Sequence, residues 1–359
     1  MIKFRAKRRR IPNVSPVQNT HGSCWALVLA GGEGTRMQPF VQRLVGEKRP
    51  MQYCTFVGSR SMLQHTLDRA RALVPEDHIV TLIGSNHSSY LHGKGVAENP
   101  GCVLKQPKDC GTAVAVFVGL AYIFKHDPRA IVTILPSDHF IWPESRFKAL
   151  LKESCEIVER SDGKIVLLGA TPTSPDSDYG WIQPSTLQEE RSTQSRNPTP
   201  LLVRSFHEKP PRDLAESLFR QGCLWNTMIV TSRLKTLWDL GREHLPQVLH
   251  RVEGFRIMPH AVEGLGRCGR LEDFVLRYVF DGMPQADFSW DLLQEAAGEK
   301  LTVLPMHDVV WSDWGSPDRV VKSLRRIGMR PALLQPNGRN HRRAGMHSDA
   351  GDLAYALNL

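Results

Sequence analysis

Apolar residues in the first half of the chain fall into two alternating patterns. Residues 25–30 form an unbroken apolar run that ends in glycines, the mark of a strand buried on both faces. Residues 78–83, 130–135 (stopped by Pro136) and 164–169 repeat it. Between these runs the period changes. Met62, Leu63, Leu67, Ala70 and Leu73 recur at helical spacing, and residues 111–124 and 147–159 also read as helices. This alternation across residues 24–170 predicts an α/β fold built on a doubly wound, mostly parallel sheet.

The second half is less regular. Residues 202–206, 225–230, 301–304 and 308–311 read as strands, and residues 212–220, 233–240 and 317–327 as helices. Residues 186–200 are rich in Ser, Thr, Gln, Asn and Pro, which predicts a surface loop. Beyond about residue 330 the periodicity fades into a Pro-, Arg- and Gly-rich tail, and no internal repeat is visible. The expected organisation is a basic, flexible N-terminus (1–22), a catalytic domain (23–327, with halves 23–170 and 171–327) and a basic, polar tail (328–359).

Composition narrows the class. The chain has 359 residues, 41% hydrophobic and 23% charged, which suits a soluble globular fold with a core of its own. No apolar run approaches the ~20 residues of a membrane span. The net charge of +9 looks like a nucleic-acid signal until it is divided along the chain. Residues 1–10 hold six Lys/Arg and residues 319–343 hold eight, with no acid in either. Residues 11–318 are left with 32 basic and 35 acidic side chains, so the body is slightly acidic and nucleic acid is not the expected partner. No apolar segment of signal-peptide type follows the basic run. Seven scattered cysteines without a Cys-x-x-Cys argue against a zinc ribbon or disulfide framework and point to a reducing, cytoplasmic setting.

Chemistry concentrates where strands end, the place at which open α/β sheets bind ligands. Leu29-Ala-Gly-Gly-Glu-Gly-Thr-Arg36 follows the first buried strand. Its glycines let backbone N–H groups approach phosphate oxygens, and Arg36 adds a charged fork. The spacing matches neither GxGxxG nor a P-loop. Leu135-Pro-Ser-Asp-His139 places Asp138 at the tip of another buried strand, and Val310-Trp-Ser-Asp-Trp-Gly315 offers Asp313. Two carboxylates flanking one phosphate loop make an oxygen-rich site suited to Mg²⁺. His139 reads as a residue that orients the loop. Asp176-Ser-Asp178 has the spelling of a metal-binding Asp-x-Asp but lies in a Pro/Ser-rich stretch that reads as a turn.

Together, Leu29–Arg36, Arg49-Pro50, Pro136–His139, Glu208-Lys209-Pro210, Trp225-Asn226 and Trp311–Gly315 occur in the order seen in a known family. Over about residues 23–327 the chain resembles the sugar-1-phosphate nucleotidyltransferases, and among them the bacterial mannose-1-phosphate guanylyltransferases. The resemblance implies a Rossmann-like, GT-A-like nucleotidyltransferase sheet with sugar-binding insertions. It also implies roles by position. Ala30, Gly31, Gly32, Gly34, Thr35 and Arg36 would hold a nucleoside triphosphate, with Gln106, Gly111 and Thr112 near its base and ribose. Asp138 and Asp313 would hold Mg²⁺. Gly180, Glu208 and Asn226 would line the sugar, and Lys209 would meet the sugar phosphate. Arg36, Asp138, Lys209 and Asp313 would be the catalytic set. The implied reaction joins GTP and mannose 1-phosphate into GDP-mannose and pyrophosphate. The implied partners are those two small molecules, with no nucleic acid, no membrane span and room for a homo-oligomer.

Two positions depart from the family pattern. Relatives usually read Arg-Pro-Lys-Gln after the glycine loop, whereas Glu47-Lys-Arg-Pro-Met-Gln52 puts Met51 in the lysine's place and a lysine at 48. A thioether cannot offset phosphate charge. The segment Trp225-Asn-Thr-Met-Ile229 also lacks the Ser-Gly that often follows the Asn. A UTP/glucose 1-phosphate enzyme and a non-catalytic nucleotide-sugar-binding paralogue therefore stand as alternatives.

Overall fold

The computed structural model describes residues 22–93, 95–185, 200–257 and 270–328. The expected flexible ends, the terminal tail and nearly all of the predicted 186–200 loop lie outside the described residues. Along the chain, β1 (Cys24–Ala30), α1 (Gln38–Val45), α2 (Met62–Arg71), β2 (Ile79–Gly84), β3 (Cys102–Gln106), α3 (Thr112–His126), β4 (Ile131–Pro136), β5 (Phe140–Trp142), α4 (Glu144–Arg160) and β6 (Ile165–Ala170) make the first part. The second part holds β7 (Trp181–Pro184), β8 (Leu201–His207), α5 (Arg212–Arg220), β9 (Leu224–Arg233), α6 (Leu234–His244), α7 (Pro246–Ile257), α8 (Arg270–Phe280), β10 (Gly298–Met306), β11 (Val310–Ser312) and α9 (Pro317–Arg326).

The main sheet runs β3-β2-β1-β4-β9-β6-β10-β8-β7 among the described residues. Strands β3, β2, β1 and β4 are parallel, as the α/β alternation predicts for β1, β2 and β4. The expectation of a mostly parallel sheet fails beyond β4. Strand β9 inserts antiparallel between β4 and β6, and β8 and β7 are antiparallel to their neighbours, although β10 runs parallel to β6. A further β7–β9 pairing closes the last five strands into a barrel-like ring. An apolar run fixes which strand is buried but not its direction, so the mixed pairing is not visible in periodicity.

Core packing follows the strand pleat. Trp25 and Leu27 of β1 face one side and join a cluster with α3, α6 and α7, including Phe117, Trp238 and Phe255. Ala26, Val28 and Ala30 face the other side and pack with Leu63 and Leu67 of α2 and Phe147 and Leu150 of α4. Helix α3 is apolar all round because it lies between the sheet and α6–α7. Gly119 lets it approach β1 and β2: a Cβ there would stand 2.3 Å from Leu27.

Five cysteines are free thiols (Cys24, Cys54, Cys110, Cys155 and Cys223), whereas Cys102 is disulfide-bonded. The scattered spacing did not suggest that bond. No helix among the described residues is long and apolar enough to cross a membrane.

Candidate active site

The parallel block lines up the C-terminal ends of β1, β2, β3 and β4, and the glycine loop leaves β1 between them. Gly34 is left-handed (φ 59°), a conformation that costs glycine little. Gly32, Gly34, Thr35 and Arg36 are exposed, with their backbone available to a ligand. The loop is stapled from below. The buried Gln52 amide donates to the carbonyls of Ala30 (3.0 Å) and Gly32 (2.8 Å), and the Tyr53 hydroxyl donates to Ala30 (3.2 Å). The end of β3 brings Gln106 against Gly31, where a Cβ would lie 3.4 Å from the amide nitrogen. Met51 sits beside Gly34 but is buried with Met37, Phe56, Trp314 and Leu324, while Lys48 is exposed.

A two-stranded ribbon brings the two aspartates together. Strands β5 and β11 pair antiparallel with Ser312 opposite Phe140, so the next step outward sets Asp313 beside Asp138-His139. The proximity is electrostatic as well. Loss of solvent and the charge of Asp313 push the Asp138 carboxyl up to about 6, against its own backbone N–H and Arg36. With 47% of the Asp138 side chain exposed, water relieves much of the burial cost, and repulsion by Asp313 is the durable cause. His139 is buried, and burial holds its imidazole down near 3. Trp311 Nε1–H donates to its Nδ1 (3.3 Å), and Arg69 donates to its carbonyl (3.1 Å) while gripping Glu144. These contacts give His139 the loop-orienting part read from sequence.

Asp313 is held on several sides. Tyr179 Oη donates to its Oδ1 (2.8 Å), Gly315 N–H to the same oxygen (3.1 Å), and Arg319 Nη1 to both oxygens (3.2 and 3.1 Å). Arg319 Nη2 reaches Asp176 (2.8 Å) and Asp178 (3.1 Å), and Arg36 lies 3.8 Å from Asp178. Asp176-Ser-Asp178 is a turn, with the Asp178 N–H donating to Asp176 Oδ1, as the sequence suggested. It is also an anchor, which the sequence did not suggest.

Four carboxylates (Asp138, Asp176, Asp178 and Asp313) thus share two guanidinium groups, an excess of two negative charges. That donor set fits one divalent cation. Asp138 keeps its oxygens exposed, and Asp313 Oδ2 carries only the Arg319 contact. Among the described residues no group of three or more His, Cys, Asp or Glu forms a metal cage. Such a pair matches the Mg²⁺ habit of one or two carboxylates completed by phosphate and water.

A third cluster gathers the residues that the resemblance assigns to the sugar. Gly180 packs against Glu208 and Asn226 so closely that a Cβ would stand 2.4 Å from Glu208 Oε2. Asn226 N–H donates to Gly180 O (2.8 Å), and its amide donates to Ser289 Oγ (3.1 Å). Glu208 is mostly buried, and its Oε2 has no hydrogen-bond partner. Burial pushes its carboxyl up to about 7; Lys209 opposes the shift and Asp287 adds to it. Lys209 follows in a left-handed conformation (φ 44°) with its ammonium exposed, 3.8 Å from Glu208 Oε1. Met228 is also left-handed (φ 58°), at the position where the resemblance leads one to expect Gly.

Gly111 and Thr112 have other engagements. A Cβ on Gly111 (φ 90°) would stand 2.2 Å from Ala286 O, and the Thr112 hydroxyl donates to Asp287 (3.1 Å) and accepts from Phe288 N–H (2.8 Å). The loop around Asp287 thereby ties α3 to the Glu208 cluster, and Gln294 Oε1 accepts from the Glu208 N–H (3.0 Å). Gln52, Tyr179, Asp287, Gln294 and Arg319 were not singled out from sequence, because each acts through a distant partner.

Residues 25–262 match the family model described as "Nucleotidyl transferase". The xanthan biosynthesis protein XanB of Xanthomonas campestris is 26% identical over 296 residues, covering 81% of this chain and 57% of that protein. A mannose-1-phosphate guanylyltransferase of Sinorhizobium fredii is 26% identical over 305 residues, covering 82% and 54%. The chain spans a little over half the length of these curated relatives. Among solved structures, one described as mannose-1-phosphate geranyltransferase from Thermus thermophilus superposes with a TM-score of 0.68 at 24% identity, covering 86% of this chain and 80% of that one. At that identity the likeness speaks for the fold alone.

Proposed function

The chain belongs to the nucleotidyl transferase family, and from that premise we propose that it joins GTP to mannose 1-phosphate, giving GDP-mannose and pyrophosphate. The observation that carries the reading is the convergence of the glycine loop, the Asp138–Asp313 pair and the Gly180–Glu208–Asn226 cluster along one edge of the sheet. The name of the Sinorhizobium fredii relative, mannose-1-phosphate guanylyltransferase, supports this choice of sugar and base.

The chemistry needs little from acid–base groups. A phosphate monoester, with a second pKa of ~6, is already ionised at neutral pH and can attack the α-phosphorus in line. Positioning and charge compensation are what the residues supply. Backbone N–H groups of residues 31–35 and the Arg36 guanidinium would grip the triphosphate. Lys209 would hold the incoming sugar phosphate. Asp138 and Asp313 would hold Mg²⁺, which offsets charge on the triphosphate as pyrophosphate leaves. Glu208 Oε2, lacking a partner of its own, would accept from a sugar hydroxyl, and an epimer unable to supply that donor would leave it unpaired.

A second reading rests on Met51. An apolar side chain beside the phosphate loop removes a cation, so a protein that binds nucleotide-sugar without turning it over is the alternative. The deciding experiment is a panel of nucleoside triphosphates against sugar 1-phosphates with Mg²⁺, read as pyrophosphate. Release confined to pairs containing a sugar 1-phosphate supports transfer. Binding without release in every pair supports the second reading.

A further inference from the structure

Arg319 pairs with three carboxylates, Asp176, Asp178 and Asp313, and its place is built rather than incidental. Its side chain is 11% exposed. The guanidinium carbon lies 4.1 Å from the centre of the Tyr179 ring, and that same tyrosine donates to Asp313. One arm of the fork takes both Asp313 oxygens, and the other takes Asp176 and Asp178. Gly315 makes room: a Cβ there would stand 2.7 Å from Asp313 Oδ2 and 3.0 Å from Arg319 Nη1. The backbone is prepared as well, because Ser316 Oγ accepts from the Arg319 N–H as α9 begins. Two segments about 140 residues apart are thereby fastened to the carboxylate proposed to face the metal.

We propose that Arg319 is a positioning residue whose planar fork, clamped between the Asp176–Asp178 turn and Asp313, fixes the direction in which Asp313 presents Oδ2 to a divalent cation. The proposal rests on the nucleotidyl transfer reading for its metal. It commits to geometry over charge. If Arg319 acted only as a positive charge, a lysine would serve and neutralisation would tighten metal binding by removing a repulsive neighbour. If it acts as a fork, a lysine fails, because one ammonium cannot span two carboxylate groups and stack on a ring at once.

The test measures Mn²⁺ binding by electron paramagnetic resonance on the full chain with GTP present, for wild type, Arg319→Lys, Arg319→Gln and the double variant Asp176→Asn/Asp178→Asn. Thermal denaturation checks that each is folded. A roughly tenfold or greater weakening of Mn²⁺ binding in Arg319→Lys, shared by the double variant, supports the fork. Wild-type affinity in Arg319→Lys with tighter binding in Arg319→Gln overturns it. Should Arg319→Lys fail to fold, Arg319→Gln decides: weaker Mn²⁺ binding supports the fork, because loss of a positive charge alone would tighten it, and tighter binding overturns the proposal. Wild type that binds Mn²⁺ but releases no pyrophosphate sinks the transfer reading and leaves this result standing. Wild type that binds no Mn²⁺ overturns the proposal itself.

Discussion

Met51→Lys restores the charge that the glycine loop lacks, and the structure sets both sides of its effect. Met51 lies against Gly34, with its backbone N 3.6 Å and Cβ 3.9 Å from where a Gly34 Cβ would be. An ammonium about 5 Å from a phosphate oxygen is worth about 3 kcal/mol at an effective dielectric near 20. Exposure and salt reduce that to about 1–2 kcal/mol, or roughly 5- to 30-fold in affinity. On the other side, Met51 is 4% exposed and packs among Met37, Phe56 and Trp314. Fully burying a methionine is worth about 1.5–3 kcal/mol, and a lysine stem that keeps its methylenes in place while its head reaches the loop retains part of that. The expected variant loses a few degrees of melting temperature and gains 5- to 30-fold in GTP affinity at low salt, with most of the gain gone at high salt. Calorimetric titration of GTP with Mg²⁺, without sugar phosphate, reads the affinity; Met51→Gln controls for polarity without charge. A folded Met51→Lys with unchanged low-salt affinity would refute the reasoning, because the residue beside Gly34 would then not face a triphosphate.

Three further outcomes are expected. Gly180→Ala drives a methyl group into Glu208 Oε2; sugar-phosphate KM should rise by about 10-fold or more, the worth of one charged hydrogen bond of about 1.5–3 kcal/mol, with GTP KM little changed. Glu208 sits near 7 in the fold against about 4.3 unfolded, so the native state holds the extra proton between those values and stability falls as pH rises through that window. Urea denaturation of Glu208→Gln without substrate should match wild type at pH 4.5 and exceed it at pH 8 by on the order of 2–3 kcal/mol, and equal stability at both pH values counts against a strained carboxylate. Gly111→Ala places a Cβ 2.2 Å from the Ala286 carbonyl at φ 90° and should destabilise the fold by about 3 kcal/mol or more in the same assay.

What could be read from the sequence divides along the range of the interactions that decide it. Strands β1, β4 and β6 were legible because burial on both faces demands unbroken apolar runs, and α5 because its amphipathic face and flanking Pro211 are local. Strand β3 was missed: it is a five-residue edge strand with alternating burial that includes Lys105. Helices α7 and α8 were missed as well; α7 buries Val248, Leu249, Val252 and Phe255 without a clean polar face opposite them. The glycine loop and both aspartates were legible because each sits at a strand end within one short motif. Their meeting was expected from their places at strand ends and from the family resemblance; the β5–β11 ribbon that joins them was not, because it is three residues long in each strand.

The Asp176–Asp178 turn shows most clearly where such reading stops. Local spelling says turn, and the turn is there; its use is set by Arg319, more than 140 residues away. The same distance explains why Met51 is ambiguous on the page of sequence. Only the packing of Val320 and Leu324 of α9, with Trp314 just before it, turns a missing lysine into an apolar plug beside Gly34. Helix α9 thus serves both sides of the site, helping to wall in Met51 and supplying the fork that clamps Asp313. A change in how α9 seats would alter the phosphate side and the metal side of the site together, so an Arg319 variant should also shift GTP affinity, and a Met51 variant should also shift Mn²⁺ affinity. Double-mutant cycles between positions 51 and 319 measure that coupling. Strict additivity would mean that the two sides of the site are built independently, and α9 would lose its place as their common support.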